Sequence, residues 1–537
     1  MIRLTELKLP LDHADEALRP AIAQRLGIAD ADLLNFSVYK RSYDARKKYG
    51  DMPFIYTVDC EVKDEAALLA RLSADRHVGP APDITYKPVG KADMPLDERP
   101  IVVGFGPCGI FAALILAQAG LRPIVLERGK EVRQRTKDTW GLWRKNVLDP
   151  TSNVQFGEGG AGTFSDGKLY SQIKDPNHYG RKVLEEFVKA GAPNEILYVS
   201  KPHIGTFRLT GVVATMREEI KALGGEVRFQ QRVSDLLIDD GQLTGVVLEN
   251  GEQLLSRHVV LALGHSSRDT FRMLHARGVY LEAKPFSVGF RIEHPQSLID
   301  RARLGKYAGH PKLGAADYKL VHHASNGRSV YSFCMCPGGT VVAATSEPER
   351  VVTNGMSQYS RNERNANAGI VVGITPEQDY PGGPLAGVEL QERLESHAYV
   401  LGGRNYEAPG QLVGDFIAGR PSTALGEVQP SYKPGVKLGD LAPSLPDFAI
   451  EAIREALPAF GKQIKGFDLA DAVLTGIETR TSSPVRITRG DDLQSLNLKG
   501  LYPAGEGAGY AGGILSAGVD GIRVAEAVAK DMLGLNR

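Results

Sequence analysis

The feature that most constrains the fold is a glycine-rich segment at residues 101–129, IVVGFGPCGIFAALILAQAGLRPIVLERG. A membrane-spanning helix needs about 20 consecutive apolar residues, and the glycines and proline in the first third of this segment would break one. The β-branched run at 101–103 instead predicts a strand, residues 104–109 a turn, and residues 110–119 a helix. A second strand is predicted over 123–126. Together these elements form the opening unit of a Rossmann-like domain.

The turn has the spacing G-x-G-x-x-G, which binds dinucleotides when it follows a strand and opens a helix. Gly104 permits the tight turn, Gly106 leaves room for a pyrophosphate, and Gly109 lets the helix pack closely on the strand. Free amide groups at the helix start favour negative charge. Glu127, at the end of the second strand, is expected to accept hydrogen bonds from ribose hydroxyls and to repel a 2′-phosphate, which disfavours NADP here.

The C-terminal residues 498–529, LKGLYPAGEGAGYAGGILSAGVDGIRVAEAVA, bear on the choice between NAD and FAD. At Gly505-Glu506 and Gly512-Gly513-Ile514 they resemble the flavin-contacting segment of the glutathione reductase superfamily, and the ERG at 127–129 is similar to that group as well. The resemblance implies one noncovalent FAD. It also implies that Glu506 binds the ribityl chain or the phosphates, and that the helix opening at Gly512-Gly513 points its positive end at the pyrimidine edge of the flavin.

Two further segments add to this site. Residues 226–264 predict a β-meander with turns at 240–241 and 250–251. The meander resembles the adenine-side meander of the same superfamily, which implies a backbone contact from Val233 and a close turn at 262–264. Residues 153–171 are a glycine-rich loop whose amides suit a pyrophosphate or a flavin edge. The predicted FAD contacts are Gly104, Gly106, Pro107, Cys108, Gly109, Glu127, Arg128, Gly160, Gly162, Thr163, Val233, Ala262, Gly264, Gly505, Glu506, Gly512, Gly513 and Ile514.

Three phrases point to a narrower resemblance: FSDGKL at 164–169, SFCMCPGG at 332–339 and GIETRTSSPVRI at 476–487. With these phrases and its additional N-terminal domain, the chain from about residue 90 onward is similar to a family of bacterial and plastid proteins known only as uncharacterised FAD-dependent dehydrogenases. The resemblance implies a fold and a cofactor, and it supplies no substrate.

The predicted fold class is α/β with three domains. Residues 1–90 alternate strand, helix, strand, strand and helix, which predicts a ferredoxin-like α+β domain. Residues 91–280 and 465–537 form a discontinuous Rossmann-like FAD-binding domain. Residues 281–464 show mixed strands and no nucleotide motif, so they are expected to be an inserted α+β substrate or cap domain.

Composition excludes several function classes. Lys+Arg and Asp+Glu both number 64, which removes any global argument for nucleic acid or an anionic membrane. The basic cluster Lys40-Arg41 and Arg46-Lys47-Lys48 is predicted to be a solvated hairpin, because no aromatic platform accompanies it. Four cysteines in 537 residues form no disulfide framework, and the N-terminus has no signal-type apolar run. A cytoplasmic protein with a small-molecule substrate, and with no membrane or nucleic-acid partner, is expected.

Candidates for chemistry lie in the inserted domain and just after it. Cys334 and Cys336 are expected to share one face of a strand, and without further ligands nearby they do not predict a metal site. The histidines at 294 and 322–323 are weaker acid–base candidates. Arg480, in the ETRTSSP loop, is the preferred anion-binding residue, with a structural ion pair as the alternative.

The predicted function is an FAD-dependent oxidoreductase of the dehydrogenase or reductase type that passes hydride through the flavin. Outside the glycine-rich segments already assigned to FAD, the sequence has no second G-x-G-x-x-G, and it has no redox CxxC. NAD(P)H, if it is the transient reductant, would therefore visit the substrate face. Two alternatives stay open at this point. One is a flavin monooxygenase, and the other is a non-catalytic flavin-binding protein whose N-terminal domain binds a partner.

Overall fold

The structure is a computed structural model that describes residues 1–44 and 50–535. The chain folds into a mixed α/β structure built around a parallel sheet, a large antiparallel sheet and an N-terminal sheet. Within the described residues, every helix is too short or too polar to cross a membrane. The basic residues Arg46, Lys47 and Lys48 of the predicted hairpin lie outside the described residues.

The parallel sheet carries the predicted nucleotide motif. Its strands follow the order Leu501–Pro503, Val259–Leu261, Ile101–Val103, Ile124–Glu127 and Glu226–Phe229. Their apolar side chains alternate between two cores, with Val102 and Val260 under the helices and Ile101 and Val103 under the meander. The helices of this domain are Pro107–Gln118, Val132–Lys145, Tyr179–Lys189, Thr206–Ala222, Arg268–Ala276 and Ile514–Met532.

The predicted meander at 226–264 is divided between two sheets. Val233–Asp239, Gln242–Leu248 and Gln253–Leu255 form a three-stranded antiparallel sheet. The flanking strands Glu226–Phe229 and Val259–Leu261 instead join the parallel sheet. Turn signals at 240–241 and 250–251 located the hairpins correctly. Periodicity could not show which sheet the two outer strands would enter.

The inserted region is built on an eight-stranded sheet. Strand Val473–Glu478 pairs in its interior, between Phe286–Pro295 and Ala408–Leu412, so this sheet extends past the predicted boundary at residue 464. The boundary was placed too early because a buried strand has the same apolar sequence pattern in either sheet. The remaining strands of the sheet are Val321–His323, Ser329–Ala343, Thr353–Ser357, Asn365–Ile374 and Val436–Leu438. Its helices are Gln296–Leu304, Pro376–Asp379, Ala386–Leu401, Val413–Ala418 and Asp447–Gln463.

Two adjacent chain crossings join the inserted region to the parallel-sheet domain. Leu281–Ala283 leads in and Val485–Ile487 leads out, and the two segments pair as antiparallel strands. The backbone amide of Lys284 donates to the Pro484 carbonyl at 2.9 Å, which continues the pairing toward the large sheet. The crossings therefore form one two-stranded ribbon.

The N-terminal region forms its own antiparallel sheet in the order Leu33–Tyr43, Phe54–Val62, Ile2–Leu9 and Val78–Pro80. This is the strand order of a ferredoxin-like arrangement, with a fourth strand that the sequence did not predict. Its helices are Leu18–Leu26 and Glu65–Arg71. Short 3₁₀ turns occur along the chain at Asp15–Ala17, Asp30–Asp32, Ala161–Phe164, Asn194–Leu197, Gly305–Tyr307 and Ala442–Ser444.

The N-terminal sheet docks on the inserted region through polar contacts. The Tyr307 hydroxyl donates to the Gly50 carbonyl at 3.0 Å, and the His310 ring lies 2.9 Å from a carboxylate oxygen of Asp12. Lys312 donates to the carbonyl of His13 at 3.0 Å. The N-terminal region is thus anchored against the rest of the chain.

Candidate functional site

A cavity of about 1210 Å³ runs between the carboxyl edge of the parallel sheet and the large antiparallel sheet, and it reaches the N-terminal domain. Ligand-binding crevices in open α/β sheets lie at this edge of the strands. A pocket for a drug-sized ligand measures about 300–1,000 Å³. This cavity is therefore large enough to hold a cofactor together with a second molecule.

The glycines of the turn at 104–109 meet two different demands. Gly104 has φ +98°, and a Cβ there would lie 2.5 Å from the Ala262 carbonyl oxygen. A Cβ on Gly109 would lie 1.9 Å from the carbonyl oxygen of Gly104. Gly106 has φ −80°, which any residue adopts, and a Cβ there would meet its nearest neighbour, the Cα of Gly160, at 3.5 Å. Packing thus explains the first two glycines, and open cavity space remains beside the third.

Glu127 is buried at the cavity wall, with 5% of its surface exposed. Its carboxylate accepts hydrogen bonds from the backbone amides of Phe105 and Gly129 at 2.8 Å and of Gly157 at 3.0 Å. A carboxylate has about four acceptor positions, so capacity for a further donor remains. The three amides hold the side chain in one orientation and tie the strand end to the glycine-rich loop.

The glycine-rich loop is fixed from behind by Arg135, a fully buried side chain. The guanidinium donates to the carbonyl oxygens of Asn153 at 2.8 Å and of Val154 and Glu158 at 2.7 Å. Burial lowers the pKa of Arg135 to about 10, against the attraction of Glu127 and Glu158. The next α-helix after the loop starts at Tyr179.

Two long helices begin at this cavity. Pro107–Gln118 has Gly106 as its N-cap and Ile514–Met532 has Gly513, and the two helices pack side by side. Neither cap residue has a side chain, so amide donors in the first turns are left for a ligand. The aligned peptide dipoles add partial positive charge at both ends. A diphosphate suits this arrangement, because helix N-termini bind anions.

Most of the predicted FAD contacts line this single cavity, and three do not. Gly109 is used by helix packing, as its clash with Gly104 shows. Thr163 is fully buried and its hydroxyl oxygen accepts a hydrogen bond from Arg135 at 3.4 Å. Gly505 lies behind the wall, and its amide donates to Asp520 at 2.8 Å. The predicted contacts in the wall are Gly104, Gly106, Pro107, Cys108, Glu127, Arg128, Gly160, Gly162, Val233, Ala262, Gly264, Glu506, Gly512, Gly513 and Ile514.

Arg480 borders the cavity, but its guanidinium is engaged in a buried ion pair. Its Nε and Nη2 donate to the two oxygens of Glu395 at 3.0 and 2.9 Å. Its Nη1 donates to the hydroxyls of Ser266 at 2.9 Å and Ser346 at 2.8 Å. The prediction of a substrate-binding arginine is corrected accordingly, because the bidentate face is already occupied by a carboxylate.

The partner of Arg480 belongs to a cluster that sequence reasoning missed. Glu395, on helix Ala386–Leu401, also accepts from Arg268 at 2.6 Å. The two arginines outweigh burial and hold the pKa of Glu395 far below its usual range. Next to them, burial and the same two positive charges lower the pKa of His265 to about 3. Glu395 lies 127 residues from Arg268 and 85 residues from Arg480, and no local motif joins them.

Cys334 and Cys336 do not share one face of a regular strand. The register of Ser329–Ala343 shifts between Phe333 and Cys336, and Cys334 has φ +42°. Cys334 consequently lines the cavity, while Cys336 is fully buried. A hydrogen bond from Cys336 lowers the pKa of the Cys334 thiol despite burial, and the same contact raises the pKa of Cys336. Both thiols are free.

Glu506 lies in the wall where the cavity passes the helix Ile514–Met532. Burial raises its pKa to about 7, with Cys334 acting in the same direction and Lys284 opposing it. A carboxyl group with a pKa near neutrality can hold or release a proton under physiological conditions. The predicted histidines lie outside the cavity wall. His294 is buried against the Phe467 carbonyl at 2.6 Å, and His322 contacts Glu455 at 2.9 Å.

Comparison with known proteins identifies the family. A protein of Clostridium beijerinckii, titled "Uncharacterized protein", is 50% identical over 526 residues, which are 98% of this chain and 98% of that protein. Residues 285–481 match the model "FAD-dependent protein, C-terminal domain-like". The chain therefore belongs to the same family as the Clostridium beijerinckii protein, and its residues 285–481 carry the C-terminal domain of FAD-dependent proteins. Its residues 1–61 match a domain of unknown function.

Solved structures of similar fold lie much further away. Glycine oxidase from Geobacillus kaustophilus is 12% identical with a TM-score of 0.35, covering 81% of this chain and 95% of its own. L-proline dehydrogenase from P. horikoshii is 14% identical with a TM-score of 0.34, covering 82% and 95%. Structural similarities with TM-scores this low carry no argument about the activity of the protein described here.

The cavity passes a test for FAD that is independent of these similarities. Three of its glycines, Gly106, Gly264 and Gly512, have no backbone strain that requires glycine, and a Cβ there would meet no described atom closer than 3.5 Å. The wall therefore leaves room for a ligand to lie against the backbone at these three positions. The residues present fit an adenine dinucleotide, consistent with the family.

Proposed function

We propose that the chain is an FAD-dependent oxidoreductase of the dehydrogenase or reductase type, which binds FAD noncovalently and acts on a small molecule. The observation that carries the proposal is the convergence of two uncapped helix N-termini and the oriented carboxylate of Glu127 on one cavity. This set combines anion-binding amides with an acceptor for ribose hydroxyls.

Each half of the cofactor has residues that would hold it. Glu127 and the amides that follow Gly106 would hold the adenosine diphosphate half, and the start of strand Val233–Asp239 lies in the wall beside them. Gly512, Gly513 and the glycine-rich loop would hold the flavin half. When bound, FAD supplies hydride transfer at its isoalloxazine ring. This assignment follows the arrangement that the resemblance to the glutathione reductase superfamily implies.

The residues of the chain itself stabilise negative charge, limit the access of water and hold a proton. The N-terminus of helix Ile514–Met532 stabilises negative charge that develops beside it. The strand Ser329–Ala343 closes the cavity from the opposite side and limits the access of water. Glu506 holds a proton at about neutral pH at the boundary between these walls. NAD(P)H as a transient reductant and a cytoplasmic location belong to the same proposal.

The test begins with the cofactor. Purified protein is expected to be yellow and to release FAD, not FMN, on acid treatment, identified by chromatography and mass spectrometry. The bound flavin should then be reduced anaerobically by NADH, NADPH or a member of a metabolite panel, followed at the flavin absorption band. A colourless protein that takes up no added FAD contradicts the proposal. So does bound FAD that no member of the panel reduces faster than free FAD.

A further inference from the structure

One part of the cavity, here called the far chamber, is lined by charged residues outside the predicted FAD contacts. Its walls come from five separate segments that carry Lys40, Lys168, Lys201, Arg303, and Asp317 with Lys319. These segments belong to the N-terminal strand Leu33–Tyr43, the glycine-rich loop, the segment just before helix Thr206–Ala222 and the inserted region. Only the glycine-rich loop is shared with the proposed FAD site, and none of these charged side chains is among the predicted FAD contacts, so the far chamber is available to a second molecule.

Positive charge dominates the far chamber. Its two nearest carboxylates already have cationic partners: Asp317 pairs with Lys201 at 2.6 Å, and Asp166 pairs with Arg361 through both oxygens. Within residues 1–44 and 50–535, Lys40 and Lys319 pair with no carboxylate. The Nε of Arg303 donates to the backbone carbonyl of Asp317 at 3.1 Å. The two terminal nitrogens of its guanidinium are therefore left for another acceptor.

Lys168 places a fixed cation between the far chamber and the flavin half. Its ammonium donates to the carbonyl of Met335, next to Cys334. Burial opposes its charge, but the attraction of Asp166 and of the neighbouring Cys334 and Cys336 together outweighs burial, and the pKa of Lys168 lies above the usual value. An ordered cation at this point can orient an anionic ligand toward the flavin half of the cavity.

The N-terminal domain contributes to the far chamber through one backbone contact. The amide of Arg41 donates to the carbonyl of Tyr198 at 2.6 Å, and the amide of Ser200 donates to the carbonyl of Arg41 at 2.9 Å. Arg41 stacks over the rings of Phe54 and Tyr198. Because side chains alternate along a strand, Lys40 lies on the other face and reaches the chamber wall.

We propose that the far chamber binds a small substrate carrying at least two carboxylate or phosphate groups, and that the N-terminal domain is a structural part of this substrate site. The inference rests on the proposed function only in calling the bound anion a substrate. Anion binding itself does not depend on it. Several unpaired cations that converge on one cavity create a site for a multiply charged anion.

The test uses protein with FAD bound, so that anions cannot enter the nucleotide site. Citrate and pyrophosphate are titrated separately at constant ionic strength, and thermal melting and the visible flavin spectrum are recorded. We expect at least one of them to bind the wild type, and the Kd to rise at least about tenfold in the double variant Lys40→Met/Lys319→Met, because each lost contact was charge-assisted. Tighter binding of citrate identifies a polycarboxylate, and tighter binding of pyrophosphate identifies a phosphate ester.

The matched control is Lys8→Met/Lys465→Met, which removes the same charge from exposed positions away from the cavity. It should bind both anions as the wild type does, and all variants should keep the same FAD content. The inference is overturned if neither anion binds more than sodium chloride does, or if the two double variants behave alike. Protein without FAD refutes the proposed function, while the difference between the double variants still decides the anion site.

Discussion

The two ends of the cavity are built by different means. At the nucleotide end the contacts are backbone groups and glycines, gathered from the turn at 104–109, the helix start at 514 and the strand end at Glu127. In the far chamber they are long charged side chains from five segments of the chain. Backbone sites need a fixed residue spacing and so leave motifs, whereas side-chain sites need only convergence in space. The first can be located in a sequence and the second cannot.

The largest expected effect is the loss of FAD binding at the nucleotide end of the cavity. In Gly106→Val the side chain should enter the pyrophosphate space, because the backbone accepts it and its Cβ meets the Cα of Gly160 at an ordinary 3.5 Å. We expect FAD retention to fall by roughly a hundredfold or more, with the fold intact by circular dichroism. Flavin content per protein measures the effect.

The control for this variant is Gly211→Val, on the exposed face of helix Thr206–Ala222, where FAD content should not change. Gly109→Ala should behave differently from both, because its Cβ would lie 1.9 Å from a backbone oxygen and destabilise the fold itself. Full flavin content in Gly106→Val would show that the nucleotide lies elsewhere.

The next effect concerns the buried cluster between the two ends. In Glu395→Gln, Arg268 and Arg480 lose their shared carboxylate, which is 0% exposed. Breaking such a pair costs about 3–5 kcal/mol, which for a chain of this length corresponds to a fall in melting temperature of roughly 3–5 °C. Glu392→Gln, whose arginine partner is exposed, should change the melting temperature by no more than about 1 °C. Equal melting temperatures for these two variants would remove the structural role assigned to Arg480.

A smaller effect is pH-dependent and tests Glu506. Its pKa is about 7 in the folded chain against an ordinary 4.5, so between these values the folded state keeps a proton that the unfolded state has lost. Stability should therefore fall as the pH rises through this window, by at most about 3 kcal/mol. Glu506→Gln should lack this loss, and the exposed Glu16→Gln should retain it. Parallel melting curves for wild type and Glu506→Gln from pH 5 to 8 would contradict the assignment.

The smallest expected effect links the two ends of the cavity through the reactivity of Cys334. Iodoacetamide should label Cys334 first among the four cysteines, because its pKa is lowered and it alone is not buried. Citrate in the neighbouring far chamber should slow the labelling several-fold. Peptide mass spectrometry gives the site and the rate, and Cys334→Ser is the control. Faster labelling of Cys60 or Cys108, or a rate that citrate leaves unchanged, would contradict this arrangement.

The nucleotide end could be predicted because its residues are close in sequence. The strand expected at 101–103 is observed as Ile101–Val103, and the second strand is observed as Ile124–Glu127, ending on the predicted acid. The helix begins three residues earlier than expected, at Pro107, because proline is favoured in the first turn. These signals are local and require no knowledge of the tertiary structure.

The rest depended on contacts between distant segments. Arg480 was expected to face a substrate, but its partner Glu395 lies on a helix of the inserted region. The spacing of Cys334 and Cys336 predicted a regular strand, and a bulge turned one thiol into the cavity and the other into the core. Lys40 is exposed, as predicted for the solvated hairpin, but only the docking of Arg41 on Tyr198 places it at the cavity. In each case tertiary packing decided the outcome.

The two-stranded ribbon at Leu281–Ala283 and Val485–Ile487 has a consequence for how such a protein can evolve. The inserted region leaves and returns at neighbouring points, with Lys284 and Pro484 joined by a backbone hydrogen bond. Recombination at these two points could therefore exchange the whole insertion as one cassette, or replace it with a short turn, without moving the strands on either side. Substrate range could change by such exchanges while the nucleotide-binding half is inherited unaltered.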